Sequence, residues 1–151
     1  NYDEASKHLT QLDKYLEVSE SSRIVDINIL KILVCIENKN YKKALEILST
    51  TELLIRNEEE IEYLLHSMKI KIFTLKSSKK SAQKEIDILD DHLSSLKYIP
   101  AYISDISLNM AVGYSYLNNN SKANEYLKTA LSFALKNKDR ISYKKMFSSL
   151  C

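Results

Sequence analysis

The stretch NMAVGYSYLNNNSKANEYLKTAL, residues 109–131, contains two amphipathic helical patterns with three asparagines between them. Small and apolar residues recur at the spacing of one helix face in both patterns. Asparagine is common both where a helix ends and at the cap that begins the next one. The stretch therefore predicts a helical hairpin, and the rest of the chain decides whether that hairpin is single or repeated.

The second half of this hairpin has counterparts elsewhere in the chain. Each places a small alanine four residues before a large apolar residue. The segments are YDEASKHL (2–9), YKKALEIL (41–48), NSKANEYL (120–127) and, more weakly, SAQKEIDIL (81–89). Successive alanines, at Ala5, Ala44, Ala82 and Ala123, are 39, 38 and 41 residues apart. Because alanine lets two helices approach closely, this spacing predicts an array of hairpins.

Hydrophobic periodicity predicts eight helical segments with short connections. They cover about 2–17, 22–37, 41–55, 58–76, 79–97, 101–117, 120–136 and 139–149. Asn40 and Asn57 are predicted N-caps, and Pro100 suits the first turn of the sixth helix. A chain of 151 residues with one glycine and one proline is poor in the tight turns of an all-β fold. The expected fold class is all-α.

Charge and cysteine content restrict the partners. Lys and Arg number 22 against 20 Asp and Glu, and the densest basic group surrounds a Ser-rich turn at Lys76, Lys79, Lys80 and Lys84. We expect a solvated turn there and no direct nucleic-acid binding by this segment. No apolar run reaches about 18 residues, so no membrane span is expected. Cys35 and Cys151 are interpreted as thiols in a reducing, cytoplasmic compartment.

The sequence carries no catalytic or metal-binding motif. His8, His66 and His92 belong to different predicted helices and lack the paired spacing of metal ligands. Asp90 and Asp91 are adjacent on one helix, so they face different directions and form a poor acid–base pair. Phosphate and dinucleotide loops are also missing. We therefore expect no enzyme activity, no metal and no cofactor.

Residues 107–131 resemble a tetratricopeptide repeat (TPR). The positions that carry the resemblance are Met110, Ala111 and Tyr114 in the first helix and Ala123, Leu127 and Ala130 in the second. The chain departs from the family in lacking its tryptophan and closing proline, and in a period of about 39 rather than about 34 residues. The resemblance implies one TPR-like domain over 1–151, built as a right-handed superhelix with half-units at both ends. Either the chain is a fragment of a longer protein, or residues 139–149 form a terminal cap.

In such an array the first helix of each hairpin lines a concave groove. Asn109 is the most pointed candidate there, because an asparagine just before the Leu-Gly pair of the family often clamps a peptide backbone through its donor and acceptor. A solvated helix asparagine is the alternative. For the candidates of the first two such helices, plain solvent exposure is the alternative. Tyr102 and Tyr116 are predicted to flank a ligand, with packing between helices as the alternative. The full set of predicted peptide-binding residues is Asn28, Lys31, His66, Lys69, Tyr102, Asp105, Asn109, Val112 and Tyr116.

Long, degenerate, Lys/Asn/Tyr-rich repeats of this period are similar to the C-terminal sensor domains of peptide-pheromone regulators of Gram-positive bacteria (Rgg, PlcR and Rap types). This resemblance implies quorum sensing through a short linear peptide, homodimerisation and, usually, an N-terminal helix-turn-helix that is not visible here. A constitutive protein–protein scaffold and a module of an enzyme or toxin system remain alternatives.

Overall fold

A computed structural model describes residues 2–15, 21–55 and 58–136. Within these ranges the chain forms seven α-helices and no strand, which confirms the all-α prediction. The helices are α1 Tyr2–Tyr15, α2 Ser21–Glu37, α3 Tyr41–Leu54, α4 Glu59–Leu75, α5 Lys79–Ser95, α6 Ile103–Tyr116 and α7 Asn120–Lys136. The predicted eighth helix, the predicted cap Asn57 and Cys151 lie outside the described residues.

The start of α6 differs from the prediction. Tyr102 is the N-cap and has φ 62°, in the left-handed region. A non-glycine residue with this backbone cannot continue a right-handed helix, so α6 begins at Ile103. Pro100 therefore precedes the turn at 101–102. The sequence-based prediction that it lies in the first turn of the helix is wrong.

Three hairpins, α2–α3, α4–α5 and α6–α7, share one turn. In each turn, the residue two positions before the start of the second helix has a positive φ. These residues are Lys39, Ser77 and Asn118. The N–H of the following residue donates to the carbonyl five positions earlier in all three turns, as Asn40 does to Cys35 at 2.8 Å. This is the bond pattern that closes many helix C-termini. The Asn40 side chain also accepts from the N–H of Lys43, which confirms that residue as an N-cap.

In each of these hairpins a buried alanine lies five residues after the residue with positive φ. Ala44 and Ala82 have no exposed surface, and Ala123 is 5% exposed. Leu48 and Ile86, four residues later on their helices, are also fully buried. The alanines thus lie where the paired helices approach, and the large side chains fill the space one turn further on.

The contacts divide the chain into two compact units, Asn1–Glu58 and Glu59–Cys151. In the first unit, α2 packs against both α1 and α3. In the second unit, α4 pairs with α5 and α6 pairs with α7, while α6 also contacts α4 and α5. The α6–α7 hairpin therefore packs on both helices of the hairpin before it.

Gly113 lies where α6 approaches the preceding hairpin. A Cβ added to Gly113 would lie 2.6 Å from Cγ2 of Ile70 in α4 and 2.7 Å from Cδ1 of Ile86 in α5. Both isoleucines are fully buried, so neither has space into which to move. The missing side chain at Gly113 permits this close packing.

We predict that Gly113→Ala destabilises the protein, although alanine favours a helix over glycine by about 1 kcal/mol. Overpacking a well-filled core costs about 1–3 kcal/mol, which offsets that gain. Thermal unfolding should show a lower Tm, by a few degrees. Ser115→Ala, at an exposed position of the same helix, is the control and should leave Tm unchanged or raise it. An equal rise in Tm for both variants would contradict the packing argument.

Candidate functional site

Four predicted site residues form one half-exposed face of α6. Asp105, Asn109, Val112 and Tyr116 are spaced by four, three and four residues, which puts their side chains on one side of a helix. All four are neither buried nor fully exposed. We call this set the α6 face.

Asn109, in the middle of the α6 face, is held by a neighbouring helix. Its Nδ2 donates to Oγ of Ser67 in α4 at 3.1 Å. Ser67 is fully buried, and its hydroxyl donates in turn to the carbonyl of Leu64 at 2.7 Å. A primary amide has a second N–H and a carbonyl oxygen besides the atoms in this bond. Asn109 is therefore an oriented amide with hydrogen-bonding capacity beyond its contact with Ser67.

A cavity of about 490 Å³ lies where α6 begins. Tyr102 and Asp105 line it together with Glu60 of α4 and with Phe133 and Lys136 at the end of α7. The Lys136 ammonium lies 5.9 Å from the centre of the Phe133 ring. Asp105 belongs to both features, so the cavity adjoins one end of the α6 face within the second unit. We call this combination the α6 site.

The length of the α6 site suits a short extended chain. A helix of 14 residues, as α6 is, rises about 21 Å at about 1.5 Å per residue. An extended peptide advances about 3.3 Å per residue, so about six residues would span that distance. Tyr102 and Tyr116, which were predicted to flank a ligand, lie at opposite ends of this span.

Two of the predicted site residues, His66 and Lys69, lie on α4 and not on α6. Nε2 of His66 contacts Oε2 of Glu85 in α5, and both side chains are only 18% exposed. His66 is thus oriented towards its hairpin partner. Lys69 is half-buried.

Among the described residues no group of three or more His, Cys, Asp or Glu side chains is arranged to hold a metal ion.

Asn28 and Lys31 belong to the first unit and have a different register. They precede the left-handed residue Lys39 by eleven and eight positions, as the buried Ser107 and Met110 precede Asn118. The position of α2 that corresponds to Asn109 is occupied by Leu30, nine residues before Lys39. By this register Asn28 and Lys31 do not share the face that Asn109 occupies. Aligning the hairpins on their turns would have revealed this from the sequence.

Asn28 and Lys31 instead line a cavity of about 330 Å³ within the first unit, between α2 and its two neighbours. Cys35 and, from α3, Lys43 belong to the same lining. Burial raises the pKa of the Cys35 thiol, and the positive charges of Lys43 and Lys31 only partly oppose that shift. A buried thiol with a raised pKa is a poor nucleophile, so this cavity offers binding groups rather than a reactive cysteine.

A tyrosine pair joins α6 and α7 to the preceding hairpin. The ring of Tyr114 stacks on that of Tyr126 with centroids 5.7 Å apart. The Tyr126 hydroxyl donates to Oδ1 of Asp90 in α5. Burial is the main cause that raises the pKa of Tyr114 to about 12, and the negative charge of Asp90 adds to it. Burial and the bond to Asp90 also raise the pKa of Tyr126. Asp90 thus joins α5 to α7.

No helix among the described ranges is long and apolar enough to cross a membrane. The chain matches no known family model, no curated protein and no solved structure.

We predict that the protein loses stability between about pH 10 and about pH 12. An unfolded tyrosine titrates near pH 10, whereas the pKa of folded Tyr114 is about 12. The folded state therefore keeps a proton that the unfolded state has lost, so the stabilisation is complete below about pH 10 and falls as the pH rises towards 12. Denaturant unfolding at a series of pH values should show a shallower decline for Tyr114→Phe than for the unsubstituted protein. Parallel curves for the two proteins would exclude this contribution.

Proposed function

We propose that the chain is a non-catalytic, TPR-like domain that binds a short linear peptide at the α6 site and forms the sensing and dimerisation region of a bacterial transcription regulator. The observation that carries this proposal is the orientation of Asn109. Its half-buried amide is held by the buried hydroxyl of Ser67, in the middle of a half-exposed helix face.

An oriented amide is suited to a peptide backbone because it matches both groups that every peptide unit presents. Its N–H can donate to a backbone carbonyl and its oxygen can accept from a backbone N–H. The bond to Ser67 orders the side chain before any ligand arrives, which lowers the entropy lost on binding. Val112 and Tyr116 supply apolar contact on one side of Asn109, and the cavity at the start of α6 accepts one end of the peptide.

The helix contacts support the TPR-like arrangement. The same turn recurs in three hairpins, and α6 contacts both helices of the hairpin before it. Stacked hairpins in a repeat array make contacts of this kind, because each repeat packs only on its neighbours. This pattern, together with the resemblance of residues 107–131 to the family, is the basis for proposing a superhelix.

Peptide binding would regulate through the packing of α6 on α4. The Asn109–Ser67 bond joins these helices, so a ligand on Asn109 acts at the junction between two hairpins. A ligand shifts a conformational equilibrium only by the difference in its affinity for the two states. A peptide that binds one relative position of the hairpins more tightly would therefore favour one superhelix curvature, and with it one dimer geometry.

We predict that short apolar linear peptides from a pooled library raise the Tm of the protein in proportion to the logarithm of peptide concentration. At a hundredfold excess over Kd the stabilisation is about 2.7 kcal/mol. Asn109→Ala should weaken binding by at least about tenfold, since it removes the amide. Ser67→Ala keeps the amide but removes its anchor, and should weaken binding less. Asn124→Ala, at an exposed position of α7, is the matched control and should bind normally.

Because Asn109→Ala also removes the bond to Ser67, the quantity to compare is the shift in Tm that peptide produces, not the Tm of the free variants. A library without any effect would contradict peptide sensing. In that case the alternative of a constitutive scaffold would be preferred, and the partner would be a folded protein.

A further inference from the structure

The three hairpins have the same type of turn, but the side chains at equivalent positions differ in size. In the third hairpin, Tyr114 lies four residues before the left-handed residue of the turn and Tyr126 eight residues after it. Their stacked rings fill the space between the helices. The equivalent residues of the first hairpin are Cys35 and Ile47. Both are much smaller than tyrosine, so the position that is filled in the third hairpin is left open in the first.

That position is the cavity of about 330 Å³ in the first unit, which Cys35 and Ile47 both line. Its volume falls at the lower end of the range of about 300–1,000 Å³ found for small-molecule sites. It belongs to the first unit, whereas the α6 site belongs to the second, and it is smaller than the cavity of about 490 Å³ at the start of α6. Six of the eight residues that line it are polar or charged, so polar groups and apolar surface are both available to a ligand.

Asn28 is the clearest sign that the cavity is a binding site. It lines the cavity and is 7% exposed, so more than nine-tenths of the residue is buried. Among the described residues its amide has no hydrogen-bond partner, but the amide is not sealed from solvent, so water in the cavity can satisfy it. In this setting Asn28 offers N–H donors and a carbonyl acceptor to whatever occupies the cavity.

The charges around the cavity have both signs. The lining contains two lysines, Lys31 and Lys43, and one acidic residue, Glu46. Thr50 also lies there, with its hydroxyl donating to the carbonyl of Glu46 at 3.1 Å, while Ile47 and Cys35 supply an apolar surface. A ligand that carries a carboxylate and an ammonium group close together would complement this arrangement better than a simple anion, because an anion gains nothing from Glu46.

We propose that this cavity is a second, separate site that binds a free α-amino acid or a dipeptide. The ligand carboxylate meets the ammonium groups of Lys31 and Lys43, and the ligand ammonium meets Glu46. Asn28 donates to the carboxylate from within the cavity, and the ligand side chain lies against Ile47 and Cys35. This inference does not depend on peptide binding at the α6 site, since all the residues involved belong to the first unit.

The test is calorimetric titration and thermal unfolding of the full chain with each of the protein amino acids and a set of apolar dipeptides. We expect saturable binding of at least one of them. Asn28→Leu should abolish that binding without lowering the Tm of the unliganded protein, because it replaces an amide that has no partner among the described residues with an apolar group of similar size. A residue that served only the fold would not show both effects together.

Lysine variants test the charge assignment with little risk to folding. Lys43→Gln should weaken binding at least about tenfold, whereas Lys42→Gln, exposed on the same helix but outside the cavity, should not. Asn109→Ala should leave this binding unchanged, which separates it from the α6 site. The proposal is overturned if no amino acid or dipeptide binds, if Asn28→Leu and Lys43→Gln bind normally, or if carboxylates without an amino group bind equally well.

Discussion

Each hairpin depends on one constraint: the chain must end a helix, reverse direction within three residues and return against the same helix. A left-handed residue at Lys39, Ser77 or Asn118 achieves the reversal, and the backbone bond across it satisfies a carbonyl at the helix end. The alanine five residues later then lies where the second helix meets the first. Because turn and alanine recur together, the register of every hairpin side chain follows from its distance to the turn.

A fixed register lets each hairpin use equivalent positions for different purposes. In the third hairpin Tyr114 and Tyr126 fill the inner position and connect to Asp90 of the hairpin before it. In the first hairpin the same position holds Cys35 and Ile47, and polar groups surround the space that remains. The one glycine, Gly113, allows the close approach of α6 to Ile70 and Ile86. Equivalent positions are thus filled in the third hairpin and left open in the first.

Local patterns were predictable from the sequence, whereas long-range partners were not. The range of α7 and the N-cap Asn40 followed from periodicity and cap chemistry. Asn109 was proposed as a site residue from its place before Met110 and Ala111, but its partner Ser67 is 42 residues away and no local pattern predicts that bond. The start of α6 was missed because the left-handed backbone of Tyr102 is unusual for that residue type.

The nine predicted peptide-binding residues fall into separate groups in the structure, because local sequence patterns do not show which helices lie next to each other. Asp105, Asn109, Val112 and Tyr116 were correctly placed on one side of α6, because helical spacing alone determines that grouping. Asn28 and Lys31 were grouped with them because α2 is also the first helix of a hairpin, but their distances from Lys39 give them a different register, and they line the cavity of the first unit.

The proposed role of Asn109 is tested most directly by two-dimensional NMR of nitrogen-15-labelled protein, which observes the Asn109 amide itself during titration with a library peptide. If peptide binds at the α6 site, the side-chain resonances of Asn109 shift until saturation while those of Asn124 stay fixed. Saturable peptide binding that leaves the Asn109 resonances unmoved would contradict the proposed site.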